Sequence, residues 1–225
     1  MDKKNILNIT NGDYFNKYFI EKFGGVAVAF CEAMMDGDTV ENIYSAQFIK
    51  ARCAALGVSE DTYKSKMHAY SALQKEGWEE IRLWFGKDTF CQANLLTVLA
   101  YLEQICFDGR VSVQYIDDET FALIGAPIVV QLGIYRKIYE EIFIRKQIPN
   151  QTGALIVNAL RLYLDYHDKN GALVRLVREN ADMEKTALMR LLMENTKDYG
   201  LSNLQAEKLI KENGYGRSGS GADMG

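Results

Sequence analysis

The stretch that most constrains the fold of this chain is residues 79–92, with the sequence EEIRLWFGKDTFCQ. Its centre, L-W-F, is a short apolar and aromatic run, which favours a strand buried on both faces. Gly86 interrupts this run, and Asp88 follows at a position suited to a helix N-cap. The next segment, residues 89–107, is apolar over most of a helical circumference, so we expect other elements to cover it. A buried strand followed by a buried helix is the repeating unit of a parallel α/β sheet.

The same alternation of strand and helix occurs elsewhere in the first part of the chain. A fourth strand, residues 110–116, alternates apolar with polar residues, which predicts a half-exposed strand near the sheet edge. A short further strand is predicted at residues 121–124. The other predicted strands are residues 5–10, 26–30 and 81–85, and the predicted helices are residues 14–23, 40–56, 60–74 and 89–107.

From residue 134 onwards the hydrophobic spacing predicts helices only. We therefore predict an α/β domain over residues 1–133, with an open, mainly parallel, Rossmann-like three-layer sheet. An all-helical region follows over residues 134–214, and a Gly- and Ser-rich tail, residues 215–225, is expected to be disordered. The helices predicted in the second region are residues 134–146, 153–167, 172–180, 183–194 and 204–212.

Composition narrows the function classes. No apolar run reaches the roughly 18 to 20 residues that span a bilayer, and the N-terminus lacks a signal-peptide core, which predicts a cytoplasmic protein without a membrane partner. Four scattered cysteines and two distant histidines disfavour disulfides and a Cys/His metal cluster. Residues 1–133 hold 12 Lys and Arg against 18 Asp and Glu, so charge alone does not favour nucleic acid as a partner of this part. Residues 134–225 hold 14 against 12, which leaves the question open there.

Several familiar catalytic motifs are absent from the sequence. It has no G-x-x-x-x-G-K-[ST], no H-E-x-x-H and no G-x-S-x-G. The one G-x-G-x-x-G lies in the tail after a helix, whereas a dinucleotide site needs it after a strand. Cys91 lies at a predicted helix start, where a thiol pKa can fall, but no histidine is near it in sequence, so a nucleophilic role is disfavoured.

Polar side chains follow three of the predicted strands. In a parallel sheet these strand-to-helix loops open on one edge, which is where ligands bind. If the loops converge, three carboxylates meet there and could act as catalytic groups or as ligands for Mg²⁺ or Mn²⁺, a combination suited to phosphoester chemistry. The carboxylates are Asp13, Glu32 and Asp88, and the residues expected to bind the ligand are Asn11, Gly12, Arg52 and Gln92.

A purely structural interpretation of the same residues stays open. Asp13 and Asp88 each precede a predicted helix, and aspartate is a preferred N-cap. Glu32 could be an ordinary exposed loop acid. Arg52 could pair with one of the acids or hold a phosphate, but it could equally place an exposed guanidinium over a packed stem.

These residues resemble the pattern of a bacterial family known only as a domain of unknown function. The resemblance covers nearly the whole chain, although only the motif after the third strand, L-W-F-x-x-D-x-x-x-Q-x-x-L, is specific. Cys91 stands where the family usually has an acid, and the later glycine-rich segment of the family is only partly retained, as Gln131, Leu132 and Gly133. The resemblance implies a site at this sheet edge without implying a reaction. The matching residues are Asn11, Gly12, Asp13, Glu32, Arg52, Leu83, Trp84, Phe85, Asp88, Gln92, Leu95, Gln131, Leu132, Gly133, Gly200, Leu201 and Ser202.

Two functional hypotheses follow. The first is binding of a phosphorylated ligand or nucleotide at the sheet edge, with metal-dependent phosphoester chemistry as its catalytic form. The alternative is a non-catalytic regulatory or interaction module. In that case residues 183–194 and 204–212, joined by a Gly-containing turn with a capping box at Ser202 and Gln205, form a helix-turn-helix-like tail that binds DNA or protein.

Overall fold

A computed structural model describes residues 5–149 and 156–214 of the chain. Its centre is a five-stranded sheet of order β2-β1-β3-β4-β5, in which the first four strands are parallel and β5 is antiparallel to β4. This confirms the predicted α/β class and the mainly parallel sheet. The predictions for the tail and for a helix start at Gly153 lie outside the described residues. The strands are β1 (Ile6–Asn11), β2 (Ala27–Phe30), β3 (Glu80–Phe85), β4 (Arg110–Ile116) and β5 (Leu123–Val130).

Helices follow the strands and continue through the second half of the chain. A π-helical turn, Glu140–Ile144, extends α6. Within the described ranges, no helix combines the length and apolarity that a membrane crossing requires. The helices are α1 (Asp13–Phe23), α2 (Ala46–Leu56), α3 (Glu60–Lys66), α4 (His68–Leu73), α5 (Thr89–Gln104), α6 (Tyr135–Tyr139), α7 (Val157–His167), α8 (Ala172–Glu179), α9 (Lys185–Asn195) and α10 (Asn203–Asn213).

Side chains of the sheet enter two separate hydrophobic clusters, one on each face. Leu83 and Phe85 of β3 belong to the larger cluster, which also takes in α5 and the buried residues of the C-terminal helices. Trp84, between them, packs with Phe15 and Phe19 of α1 in a smaller cluster on the other face. Helix α1 therefore covers part of the second face, and α5 connects the sheet to the helical region.

Two predicted helices are shorter than expected. The helix predicted at residues 40–56 begins only at Ala46, because Ser45 caps it by accepting a hydrogen bond from the Phe48 N–H. Tyr44 just before the cap has a φ of 60°, which is incompatible with a continuous right-handed helix. The helix predicted at residues 60–74 is divided into α3 and α4 at Met67, whose ψ of 42° is not helical.

The prediction that β4 is half-exposed is wrong. Ser112 and Gln114 are both buried, and the true edge strand is β5, which is longer than the predicted segment and antiparallel. The Gln114 amide is hydrogen bonded within the sheet, since its Nε2 donates to the Tyr115 carbonyl at 2.8 Å. A polar residue in an alternating strand can thus be buried when the backbone supplies its partner.

The capping box predicted at the start of the last helix is confirmed. The Ser202 hydroxyl accepts from the Gln205 N–H, and the Gln205 side chain accepts from the Ser202 N–H. Gln205 also donates to Asp36 at 2.8 Å, and Ala206, Leu209 and Ile210 are buried, so one face of α10 packs onto the rest of the protein. A DNA- or protein-binding role for α9 and α10 stays a prediction.

Candidate metal and ligand site

Asp88 lies where β3 passes into α5, at the carboxyl edge of the sheet. Its Oδ1 accepts a hydrogen bond from the Cys91 backbone N–H at 2.8 Å, which confirms the predicted N-cap. The loop before it is held by Gln92, whose Nε2 donates to the Gly86 carbonyl at 2.5 Å. Gln92 also accepts from the Tyr115 hydroxyl at 3.3 Å, so it ties the ends of β3 and β4 together.

Asp118 is brought to Asp88 by the pairing of β3 with β4. Phe85 lies opposite Tyr115 at the ends of these strands, so the residues just beyond them are neighbours. The two carboxyl groups therefore lie side by side. Cys91 Sγ is 3.5 Å from Asp118 Oδ1, and the potential ligand atoms of Asp88, Cys91 and Asp118 all lie within 4.8 Å of one another. We call these three residues the Asp88 cluster.

The pKa of Asp118 is raised by its surroundings. Although the residue is exposed, partial desolvation of its carboxyl group, followed by the neighbouring Asp88 carboxylate, raises the pKa of Asp118 to about 7. Burial, followed by the charges of Asp88 and Asp118, also raises the pKa of the Cys91 thiol well above its usual value. This is opposite to the shift that a nucleophilic cysteine requires.

Two glycines allow the carboxyl groups to come this close to the backbone. A Cβ added at Gly86 would overlap the carboxylate of Asp118, and one added at Gly200 would overlap the carboxylate of Asp88. Gly200 has a φ of 67°, so its backbone also favours glycine. Next to it, the carbonyl of Asp198 accepts a hydrogen bond from the Thr89 hydroxyl at 2.8 Å. The helical region therefore forms part of the site.

A cleft of about 970 Å³ opens beside the Asp88 cluster. Its charged lining comes from Asp88, Asp118, Asp117, Asp198, Lys87 and Lys197. Gln92 and, from the end of β4, Tyr115 and Ile116 also line it. Its aliphatic lining from β5 and from α7 with the residue before it includes Ile124, Ile128, Ile156, Ala159 and Leu162. The cleft thus lies between the carboxyl edge of the sheet and the helical region.

Asn11, at the end of β1, lies against the buried side of the Asp88 cluster. Its Nδ2 donates to Cys91 Sγ at 2.8 Å, and its Oδ1 accepts from Asn94 Nδ2 at 3.0 Å. Asn94 in turn donates to the Glu32 carbonyl at 2.6 Å. Asn11 therefore positions the thiol and connects the loops after β1, β2 and β3.

Asp13 and Gly12 lie at the start of α1 and take part in local contacts. Gly12, with a φ of 86°, begins the helix, and its N–H donates to the Phe30 carbonyl at 3.0 Å. Asp13 is exposed and pairs with Lys66 at 3.3 Å. Burial first, and then the nearby Asp13 charge, raises the pKa of the Cys31 thiol to about 12.

Glu32 is neither an exposed loop acid nor a free metal ligand, because it is buried in an ion pair with Arg52. Its Oε1 accepts from Arg52 Nε at 3.1 Å, and its Oε2 accepts from the Tyr63 hydroxyl. Arg52 has a fully buried guanidinium rather than an exposed one. Its other N–H groups donate to backbone carbonyls of the loop after β2, those of Ala33, Asp36 and Asp38.

The prediction that the carboxylates of Asp13, Glu32 and Asp88 meet at one point is therefore wrong. Among the described residues, the group of potential metal ligands around Asp88 contains Cys91 and Asp118 instead. Glu32 has both oxygens occupied, and Asp13 lies with Lys66 and Cys31. The sequence carried a signal for Asp118, since it follows a parallel strand as the other three acids do. The prediction of β4 as a half-exposed strand concealed that signal.

No protein-family model matches the sequence, and no curated protein matches it either. A structural similarity is found to a crystal structure of a DNA primase domain from Pseudomonas aeruginosa, at 15% sequence identity and a TM-score of 0.29. The match covers 92% of this chain and 54% of that one, so this chain spans about half the length of the primase structure. At this TM-score the similarity carries no argument about function.

The Glu32–Arg52 pair generates a prediction about stability. Removing one partner of a buried ion pair leaves the other charge unpaired, so Arg52→Ala should lower the free energy of unfolding by about 3 to 5 kcal/mol. The exposed Lys66–Asp13 pair provides the matched control, and Lys66→Ala should cost less than about 1 kcal/mol. Urea unfolding followed by circular dichroism measures both. Equal, small losses would show that the buried pair does not hold the loop after β2.

The raised pKa of Asp118 generates a prediction about pH. The folded protein holds this proton more tightly than the unfolded chain, so the native stability falls as pH rises from about 4 through 7. Because asparagine does not ionise, Asp118→Asn removes this pH-dependent loss of stability. Its melting temperature should therefore exceed that of the native protein by a margin that grows from pH 5 to pH 8.

Asp117→Asn is the control for this measurement. Hydrogen bonds from the Thr120 side chain and backbone lower the pKa of Asp117, so its carboxylate contributes stability above pH 4. Replacing it should lower the melting temperature at neutral pH. A margin for Asp118→Asn that stays constant between pH 5 and pH 8 would contradict the raised pKa of Asp118.

Proposed function

We propose that the protein binds a phosphorylated ligand together with a divalent cation at the carboxyl edge of its sheet, and that it carries out phosphoester chemistry there. The observation that carries this proposal is the Asp88 cluster, whose potential ligand atoms lie within 4.8 Å of one another on the rim of the cleft. Asp88 and Asp118 come from loops that are remote in sequence, as in other sites at the edge of parallel sheets.

The carboxyl pair suits a cation because two neighbouring carboxylates repel each other when both are ionised. A divalent cation bound between them would supply the counter-charge. Oxygen ligands of this kind favour Mg²⁺ or Mn²⁺. The third member, Cys91, offers sulfur, which allows softer cations such as Zn²⁺ to compete for the same position.

The charges around the cleft indicate why a phosphate would bind together with the cation. Four aspartates, Asp88, Asp117, Asp118 and Asp198, line it against two lysines, Lys87 and Lys197. An anion alone would meet a negative surface, whereas an anion that bridges the cation and the lysines would not. A bound cation polarises a phosphoryl oxygen, which is its usual contribution to phosphoester chemistry.

The other candidate residues take supporting roles in this proposal. Asn11 and Gln92 position the Asp88 cluster through hydrogen bonds to Cys91 and to the Gly86 carbonyl. Glu32 and Arg52 fix the loop after β2. Asp13 has no role in cation binding under this proposal, so replacing it should leave the cation affinity unchanged.

Metal titration tests this proposal. Native protein with Mn²⁺ at about a hundred times the dissociation constant should gain roughly 2.7 kcal/mol of stability, measured by thermal shift. In Asp118→Asn, one carboxylate is lost and the cation affinity, measured by calorimetry, should fall at least tenfold. Asp13→Asn removes a carboxylate from the same edge and should bind Mn²⁺ as the native protein does.

Two outcomes would contradict the proposal. The first is a thermal shift that Asp13→Asn abolishes and Asp118→Asn retains, since this would place the cation at the loop after β1. The second is the absence of any shift with Mg²⁺, Mn²⁺ or Zn²⁺ in native protein that is folded by circular dichroism.

A further inference from the structure

The cleft beside the Asp88 cluster has two chemically different sides. Its polar lining includes the carboxyl pair, Lys87, Lys197, Gln92 and Tyr115. Among the described residues, its aliphatic lining comes mainly from β5 and the start of α7, with Ile124, Ile128, Ile156, Ala159 and Leu162. A ligand that fills both sides must therefore combine an anionic end with an apolar one.

The register of β5 shows that this wall faces the cleft side of the sheet. Ile128 lies opposite Val113 of β4, which is buried in the larger cluster on the α5 face. The next residue, Val129, lies opposite Ser112 and points to the other face. Ile128 is nevertheless 40% exposed, so apolar surface remains open to a ligand on the inner face of an edge strand.

The size of the cleft exceeds what its charged end requires. A volume of about 970 Å³ is at the upper end of the roughly 300 to 1,000 Å³ typical of small-molecule sites. A cation and a phosphate group occupy only a small part of such a volume. Part of the remaining space adjoins described side chains that have no nitrogen or oxygen atom, among them Ile124, Ile128 and Leu162. Hydroxyl groups placed against these side chains would lose their hydrogen bonds to water.

From these observations we infer that the ligand is a phosphate ester with an apolar organic group. Its phosphate lies at the Asp88 cluster and the lysines, and its organic group lies against Ile124, Ile128 and Leu162. This inference rests on the proposed function and adds the class of ligand to it. Sugar phosphates, with polar organic groups, are disfavoured, and the apolar group could be either an alkyl chain or an aromatic ring.

Calorimetry with native protein and saturating Mn²⁺ tests the inference with four probes: inorganic phosphate, ribose 5-phosphate, hexyl phosphate and phenyl phosphate. Hexyl or phenyl phosphate should bind at least tenfold more tightly than ribose 5-phosphate, because each buried methylene group adds about fourfold to the affinity. A preference for hexyl phosphate would identify a chain as the natural group, and a preference for phenyl phosphate would identify a ring.

Variants of the wall make the test specific to this cleft. Ile128→Ser should weaken the tighter of these two esters at least fivefold and leave inorganic phosphate unchanged, and Leu162→Asn, from α7, should do the same. Val129→Ser is the matched control, because this neighbour is 59% exposed and faces away from the cleft, and it should bind all four probes as the native protein does.

Failure of this inference is distinguishable from failure of the proposed function. If inorganic phosphate binds with Mn²⁺ but all three esters bind equally, or if Ile128→Ser and Val129→Ser have the same effect, the apolar ligand class is wrong and the phosphate site stands. If Mn²⁺ binds and none of the four probes does, the proposed phosphate site fails, and the ligand class with it.

Discussion

The parallel pairing of β3 with β4 is the constraint on which the site depends. It places Phe85 beside Tyr115 at the ends of two strands, so the loops that follow must share the same small volume. Asp88 and Asp118 lie within three residues of those ends, and the strand register brings them close together. The rest of the fold keeps this arrangement in place, with α5 beginning at Asp88 and Gln92 joining the two strand ends.

Two neighbouring carboxylates repel each other, which opposes folding. Features of the residues around Asp88 and Asp118 reduce this cost. Gly86 and Gly200 leave space that any side chain would fill, and the raised pKa of Asp118 means that repulsion between the two carboxyl groups decreases when Asp118 is protonated. The buried pair of Glu32 and Arg52 acts differently, since its two charges satisfy each other and the nearby carbonyls. An internally satisfied pair fixes a loop, whereas a carboxyl pair beside a cleft is available to a ligand.

Local patterns were sufficient to predict the parallel strands, the edge at which they end and the helix cap at Asp88. Non-local pairing was not predictable from one sequence. Glu32 is buried because Arg52, twenty residues away, and Tyr63 reach it, and no local pattern indicates that contact. Asp118 was missed because the polar residues Ser112 and Gln114 give β4 the alternating pattern of a solvent-exposed strand. Both side chains are in fact hydrogen bonded inside the sheet. Gly200 belongs to the site only through tertiary packing of the helical region.

The most direct measurement of the central claim is an anomalous difference map from a crystal of the protein soaked with Mn²⁺. If Asp88 and Asp118 hold a divalent cation, the map should show one strong peak between their carboxylates, about 2.0 to 2.6 Å from an oxygen of each. A peak at Asp13, or a well-ordered carboxyl pair without any peak at saturating Mn²⁺, would contradict it.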